Sequence, residues 1–410
     1  MNLGRTFWKL RDLARKVWIR VALISTLALV SAAVAPLISW LLPESLRDRI
    51  DEAAALALLS ILNNSMLTVA TFSLSVMVAA HHFASSQVTP RSHRLLRSDG
   101  RTQSVISTFI GAFVYALVSD VIINAGFYDG RDFLVVYATT MAVIALVIVA
   151  LIRWVDQLAG LGSIEKTTGR VDEAATLAMK ERMASPYLGG RPLDREPMGW
   201  PVTTHSFGYV RHIDMEALSD LAERLGAEID VAVQPGDWVG PGDPALHVVG
   251  PPVGPEVEEE LRDAVLTGDL RSFDQDPIFG LSVMCEIAER ALSPGINDPG
   301  TAIDVLSRQS RLLHLWDSTS EEPEFPRLHV RPLSAHQAVE VALDPIARDG
   351  AAMVEIQLAV QETLARLATH DHPEMREAAR WLSRRALDRA DQSLLLQEDK
   401  DRVRAAAPDD

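Results

Sequence analysis

Four long stretches of the 410-residue chain are apolar enough to cross a bilayer. Val21 to Leu42 runs 22 residues without a charge, about 33 Å of helix against a hydrocarbon core of about 30 Å. Ala53 to Ala80 runs 28 charge-free residues, about 42 Å, so this helix must tilt or protrude. Further apolar runs extend from Val105 to Asn124, interrupted by Asp120, and from Phe133 to Ile152. Pro36 lies in the first stretch, where neighbouring helices tolerate a kink. Ala33-Val34-Ala35 has the small-residue look of a signal-peptide cleavage site. The twenty-residue basic lead and the proline directly after the cut favour retention as an anchor. The pattern predicts four transmembrane helices.

Beyond residue 160 the long apolar runs stop. Ser163 to Met183 is helix-compatible and reads as a stalk, followed by a Pro/Gly-rich break over Pro186–Pro201. Val202–Ile213 has strand character, Met215–Leu225 reads as a helix closed by Gly226, and Ile229–Val233 alternates like a strand. Gln234-Pro235-Gly236-Asp237-Trp238-Val239-Gly240-Pro241-Gly242-Asp243-Pro244 is turn chemistry, with glycines placed for positive φ, before a strand at Leu246–Val249. This hairpin resembles the PGD turn of biotinyl- and lipoyl-type β-sandwiches. It lacks a lysine at a modifiable tip, so a structural or docking role is expected. Helices are expected at Pro255–Leu266, Ile278–Leu292, Pro299–Leu315, His336–Asp344 and Ala351–Leu367, with a charged pair near His372–Gln397.

The expected fold is a mainly α membrane protein. Four transmembrane helices (1–160) are followed by a stalk and linker (161–199), a small α/β subdomain with the PGD hairpin (200–252), a helical cytoplasmic domain (253–397) and a disordered tail (398–410).

Charge sharpens this division. Residues 1–160 hold 14 basic and 10 acidic residues, a net of +4; residues 161–410 hold 25 and 45, a net of −20. Nucleic acid is therefore not an expected partner. A single cysteine excludes a disulfide framework and Cys-rich metal sites. Basic residues gather in the N-terminal segment (Arg5 to Arg20) and between the second and third spans (Arg91, Arg94, Arg97, Arg101), while the alternate loops are mixed or acidic. The positive-inside rule then places both termini in the cytoplasm. Trp18 and Trp154 fall at the inner interface, Trp40 and Tyr128 at the outer one.

The second span carries the candidate chemistry. Ser60, Asn64, Thr68, Thr71 and Ser75 recur at helical spacing, with Asn63 flanking them and His82 further along. An amide in hydrocarbon needs a partner or water, so this face either glues helices together or lines an aqueous path. Asp120 is either an ionisable group at an outer mouth, level with Ser60, Asn63 and Asn64, or an interfacial cap. His81, His82 and His93 fit no metal-ligand spacing and read as headgroup-level residues.

In the C-terminal part, Ala291-Leu292-Ser293-Pro294-Gly295-Ile296-Asn297-Asp298-Pro299-Gly300-Thr301 admits two readings. Asp298 can cap the next helix with Pro299 at its first position, a purely structural connection. Alternatively Asn297, Asp298 and Thr301, with Asp276 nearby, form a ligand site at a helix N-terminus.

Several of these segments carry a resemblance. Thr89-Pro90-Arg91, Gln103, Phe109-x-Gly111-x-Phe113-x-Tyr115, Gly208-Tyr209-Val210-x-x-Ile213-Asp214, Gln275-Asp276 and Ala291–Pro299 together resemble the bacterial predicted membrane protein family, domain of unknown function 2254. Thr89 and Ser92-His93 depart from the family's commoner Ser-Pro-Arg-Val-Leu. The resemblance implies a multi-pass inner-membrane protein and brings no activity or catalytic residues. No GxSxG, P-loop, HExxH or dinucleotide fingerprint is present. The expectation is therefore a non-enzyme without cofactor or metal. It is an oligomeric ion channel or channel-like permeation protein in the bilayer, cation favoured by the acidic part. The alternative is a membrane-anchored sensor or scaffold whose cytoplasmic domain binds a ligand or protein.

Overall fold

The computed structural model describes residues 52–87, 100–126, 133–158, 163–317 and 322–409, with a few isolated positions besides. Contacts divide the chain into two compact units between Lys166 and Thr167. Among the described residues of the first unit, three helices are long and apolar enough to span a membrane: α1 (Glu52–Gln87), α2 (Gly100–Asn124) and α3 (Phe133–Leu158). The expected first span, 21–42, lies mostly outside the described residues, and Trp18, Trp40, Tyr128, His93 and the side chains of His81 and His82 lie outside them altogether.

The three helices pack around Leu59, Leu62 and Met66 of α1, Phe109, Ala112 and Tyr115 of α2, and Val136, Val143 and Val147 of α3. Small residues at Ala55, Ala70, Ala112 and Ala116 let the backbones approach, the usual device where lipid supplies no hydrophobic drive. Tyr115 carries a hydroxyl into this core, and Thr139 and Thr140 of α3 meet it at 2.9 and 3.2 Å. Trp154, near the end of α3, is buried in the same core rather than turned outward. An indole is large enough to close the end of a bundle built from small residues.

The second unit is α+β. Helix α4 (Ile164–Ala184) is amphipathic, and Val171, Ala175, Ala178 and Met179 bury its inner stripe. It is thus part of the unit's core rather than a free stalk. Asp172 of α4 accepts from Arg308 at 3.2 Å and from Arg311. Two sheets follow. The larger runs β1 (Arg191–Pro192), β8 (Leu328–Val330), β4 (Glu228–Val231), β6 (Pro244–Val249), β2 (Trp200–Thr203). The smaller runs β5 (Trp238–Val239), β3 (Gly208–Ile213), β7 (Val265–Gly268). Val202, Val210, Ile213, Ile229, Val231, Leu246 and Val248 line their shared core, covered by α5 (Met215–Leu225) and α6 (Pro255–Asp263).

The expected helix Pro255–Leu266 therefore stops at Asp263, and the β-branched run that follows is a strand paired with β3. Strands outside 200–252 complete the β-structure: β8 enters parallel to both β1 and β4 from far along the chain.

The rest is helical: α7 (Pro277–Leu292), α8 (Pro299–Leu313), α9 (Ala335–Asp349), α10 (Val354–Leu367), α11 (Pro373–Ser393) and α12 (Gln397–Ala405). Helix α9 passes through Pro345 instead of ending at Asp344. The packing of buried Leu343, Ile346 and Ala347, and Arg389 of α11 bound to Asp344 at 2.7 Å, outweigh the lost hydrogen bond. Buried amides set the helices in register: Gln309 donates to Leu281 O at 2.7 Å, and Gln357 to Ala347 O at 2.9 Å. The tail expected to be disordered from 398 is instead helix α12. Val403 is fully buried against Ala390 and Leu394, and Arg404 grips Asp391 at 2.8 Å. One apolar anchor, the Arg404–Asp391 ion pair and the bond from Lys400 Nζ to Asp391 O at 2.6 Å hold an otherwise charged segment.

Candidate functional site

Helix α1 has two unlike sides. At about 100° per residue, the buried positions Ala55, Leu59, Leu62, Met66, Ala70 and Ser73 fall on one side. Ser60, Asn64, Thr68, Thr71 and Ser75 fall on the opposite side, and all five are exposed. The polar stripe therefore does not glue α1 to α2 or α3. Its hydroxyls turn back on their own helix: Thr71 donates to Leu67 O at 3.0 Å and Ser75 to Thr71 O at 3.0 Å. The amides are less well served. Asn64 donates a single bond to Ser60 Oγ at 3.3 Å. Asn63 is half-buried on the flank, and its buried Oδ1 has no partner among the described residues.

Asp120 lies one turn from the end of α2, so the helix runs on past it. Asn124 Nδ2 donates to its Oδ1 at 3.2 Å and to its carbonyl at 2.8 Å. No hydrogen bond among the described residues joins Asp120 to Ser60, Asn63 or Asn64; its partner is local.

In the second unit the structure separates residues that the chain order suggested grouping. Asp276 caps the N-terminus of α7, whereas Asn297, Asp298 and Thr301 lie beyond its C-terminus. The 16 residues of α7 put about 24 Å between them. The loop after α7 closes on itself. Asp298 N donates to Ala291 O at 2.8 Å and Asn297 N to Ser293 O at 2.9 Å, with Asn297 in the left-handed region at φ 52°. Thr301 donates to Asp298 from its hydroxyl at 2.6 Å and its amide at 3.1 Å, and these bonds hold the Asp298 carboxyl below its ordinary value. Its cap position is already filled, which favours the helix-connection reading of this loop.

A different centre forms around Asp276. Asp276 is 2% exposed and accepts two bonds from Arg271, from Nε and Nη2 at 2.8 Å each, and one from Phe279 N at 2.9 Å. Arg271 also lies over the Phe279 ring, 5.2 Å from its centroid. Burial pushes the Asp276 carboxyl up to about 6; Arg271 and the Phe279 amide pull it down but lose to desolvation. The turn of the PGD hairpin closes the site from the other side. Gly236, at φ 99°, comes so near that a Cβ there would sit 2.8 Å from Arg271 Nη2 and closer still to Asp276 Oδ2. Gln275 fastens the same segment to β3, accepting from Ile213 N at 2.9 Å and donating to Ile213 O at 3.3 Å. Gly236 N donates to Val210 O at 2.8 Å.

Arg182, in the last turn of α4, is also 2% exposed. Its Nη2 donates to Gln234 Oε1 at 2.7 Å, and Gln234 in turn donates to Arg331 O. Burial lowers the guanidinium to about 10, opposed by the negative charge of Asp276.

Of the residues at this centre, Asp276 with Gln275, and Val210 and Ile213, to which Gly236 and Gln275 are fastened, lie in segments that carried the family resemblance, Gly208–Asp214 and Gln275-Asp276. The model of the family described as "Predicted membrane protein (DUF2254)" matches residues 14–366. The chain belongs to this DUF2254 family. Similar curated proteins are uncharacterized proteins of Mycobacterium bovis (Mb1321c) and Mycobacterium tuberculosis (Rv1290c), each 28% identical over 273 residues. That match covers 62% of the chain and 51% of each relative, so the chain spans about half the length of the curated relatives it matches. No solved structure matches.

In this DUF2254 protein, Arg182, Gln234, Arg271 and Asp276, from separate parts of the chain, converge on one buried charged centre. Asp276 was among the expected site residues; Arg182, Gln234 and Arg271 were not. Arg182 did leave a trace. Val171, Ala175 and Ala178 mark the apolar stripe of α4, and Arg182 continues it at i+4. A basic residue on a buried stripe is the signal that a pass for helical periodicity reads over.

Proposed function

We propose that this membrane protein is an oligomeric channel or channel-like permeation protein, with the α1 stripe of Ser60, Asn64, Thr68, Thr71 and Ser75 lining a path between copies and Asn63 at its edge. One observation carries the reading: the stripe points away from the packed face of α1 and leaves amides under-bonded in a helix of membrane-spanning length. Three or four helices are too few to enclose water, which is why assembly is part of the proposal. The bilayer is taken as a bacterial inner membrane with both termini cytoplasmic. The net −20 of residues 161–410 then favours cations by raising their local concentration within a Debye length of about 8 Å. No catalytic role is assigned to any residue.

Purified protein in liposomes should pass potassium or sodium in preference to chloride. Asn64→Leu or Thr71→Leu should cut that flux at least about tenfold, the loss expected when a solvating group leaves a narrow lining. Flux absent for all three ions, or unchanged in both variants, overturns the permeation reading. Asp120→Asn tests the outer mouth separately: unchanged conductance removes Asp120 from the path, as its pairing with Asn124 leads one to expect.

The second reading, a membrane-anchored sensor or scaffold, draws support from the buried centre of Arg182 and Asp276 in the C-terminal unit. Under that reading the stripe variants leave behaviour unchanged and variants at the centre do not.

A further inference from the structure

The guanidinium of Arg182 has five N–H donors, and among the described residues one acceptor meets them, the neutral amide oxygen of Gln234. Its Nε and Nη1 are buried without a partner among the described residues. Asp276 is the carboxylate whose field it feels. That carboxylate is already committed to Arg271 and Phe279 N, and it caps the N-terminus of α7. Arg182 is buried and Arg271 half-buried, and the buried acid between them, Asp276, is engaged by Arg271. Asp237, whose charge also reaches Asp276, is partly exposed and is held by Gln234 N at 2.9 Å. A buried charge without an opposite charge costs several kcal/mol. Water can satisfy the free N–H groups but cannot offset the charge. The positive end of the α7 dipole adds to the same potential.

We propose that Arg182 anchors a small-anion site inside the C-terminal unit, with Nε and Nη1 donating to the anion and Gln234 fixing the guanidinium through Nη2. A ligand held by two nitrogens of a side chain this deeply buried is small, a halide or a small inorganic oxyanion. The site is independent of any permeation path: it lies in a unit that the stripe variants do not touch, and it stands whether or not the protein conducts.

The test uses the full chain in detergent or nanodiscs. Thermal unfolding is followed by tryptophan fluorescence, at constant ionic strength, as gluconate is replaced by chloride or by phosphate. The wild type should gain about 4 °C at ten times the dissociation constant of the anion that binds. A response to chloride alone assigns a halide; a response to phosphate assigns an oxyanion. Arg182→Met should lose the response. Should Arg182→Met fail to fold, Gln234→Glu decides: its carboxylate stands where the amide oxygen lies 2.7 Å from Nη2 and supplies the missing charge, at the loss of the bond that Gln234 Nε2 donates to Arg331 O. It too should lose the response. Equal midpoints of the wild type in all three anions overturn the proposal. So does a response of the same size in the wild type and Gln234→Glu, which marks a general salt effect.

Discussion

Gly236→Ala is expected to destabilise the C-terminal unit by about 4 kcal/mol, roughly a 10 °C fall in its unfolding midpoint. Two costs combine. A φ of 99° lies in a region that side-chain-bearing residues avoid, at about 1–2 kcal/mol. The added Cβ must also displace the Asp276 carboxylate or the Arg271 guanidinium, which hold each other with two bonds in a site 2% exposed at the acid. Loosening a buried pair in this way leaves charge uncompensated. The same hairpin supplies the control. Gly242 has φ 94° with nothing within 4 Å of its would-be Cβ, so Gly242→Ala meets the backbone cost alone. Denaturant or thermal unfolding of both variants separates the terms. Equal losses at the two positions would show that the close approach of the turn to Asp276 contributes nothing.

The second large effect depends on pH. The Asp276 carboxyl rises from 3.8 to about 6 in the folded protein. For a group raised on folding, the folded state binds the proton more tightly than the unfolded state. Its stabilising contribution is therefore complete below pH 3.8 and is lost as pH rises through about 6. Ionising Asp276 in its desolvated site then costs about 3 kcal/mol at neutral pH. Asp276→Asn keeps an acceptor for Phe279 N and never ionises. The variant should be less stable than wild type in acid, where the neutral carboxyl is best placed, and gain on it steadily up to about pH 8. Unfolding midpoints of the pair measured across this range check the sign. A difference that stays flat, or that moves toward the wild type as pH rises, would mean that Arg271 keeps the carboxylate ionised throughout.

The readable parts of the fold are those whose information is local. Spans 53–80, 105–124 and 133–152 follow from long apolar runs, broken in the second only by Asp120, and each lies within a long helix. Helix Met215–Leu225 follows from its ends: Asp214 caps Ala217 N at 3.0 Å and Gly226 closes it at φ 60°. The departures are residues whose partners are distant in the chain. Leu328–Val330 is three residues long and becomes a strand because Ile229–Val231 lies beside it. Gln397–Ala405 reads as a charged tail until Val403 meets Ala390 and Leu394.

The candidate site divides along the same line. Helical spacing alone put Ser60, Asn64, Thr68, Thr71 and Ser75 on one face, because the period of an α-helix needs no knowledge of neighbours. Which way that face points was decided by Leu59, Leu62 and Met66 packing on α2 and α3, leaving the stripe outside. Asp276 and Asn297 look like neighbours along the chain, but α7 holds them at opposite ends because a helix converts sequence distance into length. Arg182, Gln234 and Asp276 span nearly a hundred positions and meet only when the hairpin turn closes on α4 and α7. The sequence by itself determined three of the expected spans, the charge division and the periodic polar face. The direction of that face and the buried charged centre belong to the tertiary structure, because burial and unpaired charge depend on what surrounds a side chain rather than on where it stands in the chain.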